Sequence, residues 1–286
     1  MIYFYKHRTM DDLTPKELDL MGYEGVLNYA LYHGGFYADA LFRQIKILEQ
    51  EIEMIKDQQF DIFSQENHEL ASMWIDRYID YFNKNAAYEK QAYVVIGNIA
   101  CGKSTYSKRL EQETNSIIVD ADNFKMGAET PHGFFEGLTS LYRQPTDRER
   151  MQDACSDAGK AVLKNVSDLG MNLILPKAPT SLEKLEKNLK CLTDKNYDVH
   201  LIWIDAPIEE CANRNYFRYL IKEYSANPNE HGRFVPVSVI TNIGDGPFET
   251  FAKAYGQKRF KSFKAFFNDK YRDNEEIDLK SMYFPQ

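Results

Sequence analysis

The sequence predicts an α/β protein, a parallel sheet with helices on both faces, preceded by a small all-α helical bundle. Three observations predict it. From residue 93 onward, short runs rich in β-branched residues alternate with helix-length segments. The first third has helical periodicity throughout. The charge divides in the same place: residues 1–88 hold 8 Lys/Arg against 15 Asp/Glu, and the remainder holds 27 against 28.

In the first third, residues 37–60 place Leu41, Ile45, Leu48, Ile52 and Ile55 three and four apart, which makes one apolar helical face. Gly34-Gly35 ends a preceding helix containing Val26, Leu27 and Leu31. A third helix spans residues 67–81, with Leu70, Trp74, Tyr78 and Tyr81 on one side. Three such helices form a small bundle. The polar stretch 83–91 is the boundary, giving a helical module at 1–88 and an α/β domain at 89–286.

Strands are predicted at residues 93–96, 117–119, 173–175 and 199–204, and helices at 104–112, 148–169 and 181–193. Strands alternating with helices imply right-handed crossovers and a sheet covered on both faces. The stretch 258–264, with Phe260 and Phe263 among lysines, reads as a solvated amphipathic helix rather than a nucleic-acid contact.

Composition excludes several classes. At 286 residues, 43% hydrophobic and 27% charged, the chain is of ordinary globular make-up. A net charge of −8 argues against nucleic acid and anionic membrane as partners. No apolar run reaches membrane-spanning length, and the opening residues lack the order of a secretory leader. Cys101, Cys155, Cys191 and Cys211 show no metal-ligand spacing, which suits a reducing cytoplasm. The six histidines form no pair at ligand spacing.

Chemistry concentrates in one motif. Gly97-Asn98-Ile99-Ala100-Cys101-Gly102-Lys103-Ser104 fits G-x-x-x-x-G-K-[ST], with a predicted strand before it and a helix after it. Gly97 and Gly102 permit a backbone that a side chain would obstruct. Amide hydrogens of the loop and of the helix start then face phosphate oxygens. Lys103 is expected to reach the β- and γ-phosphates of ATP or GTP, and the Ser104 hydroxyl to bind Mg²⁺. These eight residues and Thr105 form the predicted nucleotide cradle.

The next strand leads into Asp120-Ala121-Asp122. A carboxylate there can accept an acceptor hydroxyl's proton or hold Mg²⁺ through water. Asp122 is the candidate base and Asp120 the candidate metal-side carboxylate; capping of the following helix is the alternative for both. Arg214 and Arg218 stand one helical turn apart, and Arg233 follows a turn-prone segment. Planar guanidinium groups suit the charge of a transferring phosphoryl group, although arginines also serve as surface ion-pair partners.

These motifs together resemble the zeta toxins, P-loop kinases of bacterial toxin–antitoxin systems that phosphorylate UDP-N-acetylglucosamine. The likeness covers roughly residues 93–242. The run from Ile118 to Lys125 is similar to the family's acidic motif, whose second Asp acts as the base and falls on Asp122. Arg218-Tyr219, Asn227-Pro228-Asn229 and Arg233-Phe234-Val235-Pro236 resemble its paired-arginine segment, which implies that Arg218 and Arg233 contact the ATP phosphates. Residues 26–33 and 70–81 look like the separate three-helix epsilon antitoxin, here within one polypeptide. The resemblance thus implies a P-loop kinase domain held down by an intramolecular antitoxin-like domain, with residues 1–33 as the occluding part.

One departure stands out. After the third strand the family has Glu-Gly-Thr, which helps hold the sugar nucleotide, whereas this chain has Pro176-Lys177-Ala178. Other small-molecule acceptors (a nucleoside, a dinucleotide, an antibiotic) and a nucleotide-sensing switch without turnover therefore stand beside the sugar-nucleotide reading.

Overall fold

A computed structural model of the protein describes residues 86–122, 152–223, 235, 237–269 and 272–282. Residues 1–85, nearly all of the predicted helical module, lie outside the described residues, as does Arg233.

Six strands form one sheet. In chain order the elements are β1 (Gln91–Ile96), α1 (Lys103–Thr114), β2 (Ile117–Ile118), α2 (Gln152–Asp168), β3 (Leu173–Lys177) and α3 (Leu182–Thr193). They continue with β4 (Asp198–Asp205), α4 (Ile208–Glu223), α5 (Val237–Ile243), α6 (Gly246–Gly256), β5 (Ser262–Asn268) and β6 (Asp273–Glu276). The sheet order is β2-β3-β1-β4-β5-β6. All pairings are parallel except β5 with β6.

Alternation along the strands sends neighbouring side chains to opposite faces, so a strand covered twice reads as one apolar run. Val94, Ile96, Leu173 and Leu175 pack with Val162 and Val166 of α2, Leu185 and Leu189 of α3 and Phe251 of α6. Val95, Ile174, Ile202 and Ile204 pack on the other face with Tyr106 and Leu110 of α1 and Cys211 of α4. Side chains at 94, 95 and 96 are fully buried, which places β1 at the centre of the domain. Ser181 caps α3, its Oγ accepting from the Lys184 N–H at 3.3 Å.

The chain is tied to this body before β1 begins. The Ala87 N–H donates to Asn115 O at 2.8 Å, and Ala87 O accepts from the Asn172 N–H at 2.7 Å.

One expected element is wrong. The stretch 258–264 is not an amphipathic helix: α6 ends at Gly256, Lys258 turns with φ 51°, and β5 starts at Ser262 in register with β4. Packing decided this. Phe263 meets Phe251 edge-on at 5.9 Å and Tyr255 at 5.3 Å, so its ring fills the α6 layer of the core.

Candidate active site

The five parallel strands direct their carboxyl ends to one edge, and the loops leaving β1, β2, β3 and β4 meet there. The P-loop leaves β1. At Gly97 a Cβ would lie 2.5 Å from Cys101 Sγ and 2.7 Å from Ile204 O. At Gly102, where φ is 102°, it would lie 1.9 Å from Asn268 Nδ2. Both positions therefore exclude a side chain, and the left-handed conformation of Ala100 (φ 62°) completes the curl of the loop. The Lys103 ammonium donates to Gly97 O at 3.0 Å and Asn98 O at 2.6 Å, bridging the start of its own loop. Ser104 and Thr105 follow on the first turn of α1 with exposed side chains.

Two asparagines brace the loop. Asn98 is buried; its amide donates to Ile240 O and Gly244 O, both at 3.1 Å, and its Oδ1 accepts from the Ile99 N–H at 2.7 Å. The Asn98 side chain thus works inside the protein, fastening the P-loop to α5. Asn268, at the end of β5, donates to Cys101 O at 2.6 Å. Its own carbonyl accepts from Arg214 at 3.0 Å, and Arg214 pairs with Glu210 at 3.2 Å. Arg214 is accordingly a buttress of the loop. Arg218 lies one turn further along α4 with an exposed side chain. A buried amide of Asn215 on the same helix donates to Val235 O at 2.7 Å.

The acidic loop leaves β2. Asp120 Oδ1 accepts from the Asp122 N–H at 3.0 Å, which turns the chain so that both carboxylates stay at the sheet edge. Gly159 of α2 supports this turn, its Cα side facing Ala121. β2 and β1 are not adjacent, because β3 runs between them and ends in Lys177. Burial lowers the pKa of the Lys177 ammonium, while Asp120 and Asp122 oppose that shift, so cation and carboxylates share one neighbourhood. On the other side of β1, Asp205 ends β4; burial raises its carboxyl above the usual carboxylate range and Arg272 opposes.

Lys177, Asp205 and Asn268 were not singled out as functional candidates by the sequence patterns. A signal for the first two existed: each is a charged residue closing an apolar strand. Asn268 had none, since it lies past the 258–264 stretch expected to be helical and no strand is predicted there. Among the described residues no group of three or more His, Cys, Asp or Glu could hold a metal by itself.

With this geometry in place, the comparison with known families is decisive: the zeta toxin model matches residues 76–276. The chain belongs to the zeta toxin family. No curated protein matches it in sequence. Among solved structures, the PezAT toxin–antitoxin system of Streptococcus pneumoniae is 18% identical over 78% of this chain and 85% of that one, with a TM-score of 0.58. The AvrRxo1-ORF1:-ORF2 complex is 14% identical over 75% of this chain and 66% of that one, with a TM-score of 0.50. Its form with ATP gives 13% identity over the same shares and a TM-score of 0.51. At these identities the structures establish the fold, a mostly parallel P-loop kinase sheet. This zeta toxin family member thus has a kinase-type fold.

Proposed function

We propose that the protein transfers the γ-phosphoryl group of ATP or GTP to a sugar hydroxyl of UDP-N-acetylglucosamine, and that its leading helical module inhibits it in cis. The observation that carries the chemistry is the meeting of P-loop, acidic loop and Lys177 at the carboxyl ends of three neighbouring strands. In this reading Lys103 exchanges its loop carbonyls for β- and γ-phosphate oxygens. Asp122 takes the proton of the acceptor hydroxyl as that oxygen bonds to phosphorus and the bond to the β-phosphate oxygen breaks. Arg218 and Arg233 steady the charge on the transferring group. A bound Mg²⁺ would neutralise the β- and γ-oxygens, with Ser104 and Asp120 as the residues to hold it.

The inhibitory role rests on the acidic, helical character of residues 1–88 and their likeness to epsilon antitoxins. A tethered domain acts at an effective concentration on the order of millimolar, so modest contacts suffice. Because Ala87 is hydrogen-bonded to Asn115 and Asn172, the deletion that tests this removes residues 1–84 only. We expect its expression to arrest growth and Lys103→Ala to relieve the arrest. A folded, soluble truncated chain that leaves growth unaffected would refute the inhibition.

A second reading keeps the chemistry and changes the acceptor. Pro176-Lys177-Ala178 favours it, because this segment presents a cation where the family has an acid and a hydroxyl. An acceptor screen separates the two: consumption of a nucleoside or dinucleotide, with UDP-N-acetylglucosamine untouched, selects the second.

A further inference from the structure

The carboxyl edge holds a cation that the P-loop does not use. Lys177 ends β3, between the strand that feeds the P-loop and the strand that feeds the acidic loop. Its carbonyl accepts the Gly97 N–H at 3.2 Å, so its backbone is fixed at the root of the P-loop. By strand alternation its side chain leaves on the face of Leu173 and Leu175, under α2 and α3. The residue is half-buried, and its ammonium has no hydrogen-bond or ion-pair partner among the described residues. Asp120 and Asp122 are near enough to attract it without closing a salt bridge, and Lys160 of α2 repels it.

An ammonium has three donors and no acceptor, and holding it half-dry without a partner is costly. If Lys177 served only to neutralise the acidic loop, a contact ion pair with a carboxylate would be the low-energy arrangement. A neutral acceptor would leave its charge unanswered, since Asp122 already serves the hydroxyl. The donor nucleotide's phosphates belong to Lys103, on the neighbouring strand. What remains is an anion arriving with the acceptor.

We propose that Lys177 binds a phosphate of the acceptor and so selects phosphate-bearing acceptors over neutral molecules carrying the same hydroxyl. The inference rests on the assignment of Asp122 to the acceptor hydroxyl. For UDP-N-acetylglucosamine the group is the diphosphate, which free N-acetylglucosamine lacks.

Two measurements test it, the titration on the full chain and the kinetics on the chain lacking residues 1–84. In the first, inorganic pyrophosphate is titrated calorimetrically into Lys103→Ala, Lys103→Ala/Lys177→Met and Lys103→Ala/Lys177→Arg, each with an unchanged melting temperature. Weak binding is expected in the first, loss of about tenfold or more in affinity in the second, and retention in the third. Equal binding with and without the Lys177 charge, or no binding in Lys103→Ala, overturns the proposal. In the second, Lys177→Met is expected to raise the KM for UDP-N-acetylglucosamine about tenfold while the ATP KM stays within about twofold. An unchanged acceptor KM, or an equal rise in both, overturns it. A chain that binds pyrophosphate through Lys177 but leaves UDP-N-acetylglucosamine unphosphorylated rejects the sugar-nucleotide reading and retains this one.

Discussion

The two edges of the parallel sheet use polar side chains in opposite ways. At the amino edge they satisfy one another. Asn172 Oδ1 accepts from the N–H groups of Glu89 and Gln91 at 3.0 and 3.1 Å, and its amide donates to Glu89. His200 lies between Ser262 and Gln91, 2.7 and 2.8 Å away, and stacks on Tyr93. The buried Tyr197 hydroxyl donates to Met171 O at 2.9 Å, and burial pushes its pKa up to about 12. At the carboxyl edge, Lys103 is held by two carbonyls and the Cys101 sulfur of its own loop, and Lys177 has no partner among the described residues. Around the P-loop, Asn98, Asn268 and Arg214 are partnered as the amino edge is, and the two lysines are what set the carboxyl edge apart.

Mutations break or sharpen this contrast. The largest effect is expected at Asp122→Asn at the carboxyl edge, where kcat falls about a thousandfold while nucleotide affinity and melting temperature hold. Stopped-flow kinetics with a fluorescent ATP analogue, beside steady-state turnover, would show it. Gly102→Ala forces a Cβ toward the Asn268 amide at a left-handed position. Nucleotide affinity should drop about tenfold or more, and Asn268→Ala in the same chain should recover part of it.

The amino edge should respond in stability alone. Asn172→Ala strands the N–H groups it had accepted and is expected to cost about 2 kcal/mol or more in denaturant melts. The folded fraction should keep its kcat/KM. A change in kcat/KM would blur the distinction between the edges.

The smallest effect concerns pH. Burial lowers the pKa of His200 from its ordinary 6.5, so the unfolded chain takes up the proton more readily than the folded one. Stability from this group is complete above 6.5 and falls as the pH drops below that value toward the folded pKa. His200→Gln should flatten that part of the melting-temperature curve.

Much of this was legible in the sequence, for physical reasons. The P-loop strand and its helix were readable because a buried central strand must be an apolar run and the phosphate loop must carry glycine where a Cβ would collide. The acids after β2 were readable because a charged pair closing such a run marks a sheet edge. β5 was not: Phe260 and Phe263 among lysines have no strand period of their own, and the place of Phe263 is set by Phe251 and Tyr255 of α6. Lys177 was read from the family pattern as a missing contact. Only the strand order, with β3 between the P-loop strand and the acidic strand, reveals it as a charge at the centre of the edge.

Mass spectrometry of UDP-N-acetylglucosamine incubated with Mg²⁺, ATP and the chain lacking residues 1–84 tests the account most directly. A singly phosphorylated sugar nucleotide formed in step with ADP is expected, and neither product from Asp122→Asn. Undiminished transfer by the folded Asp122→Asn chain would contradict it.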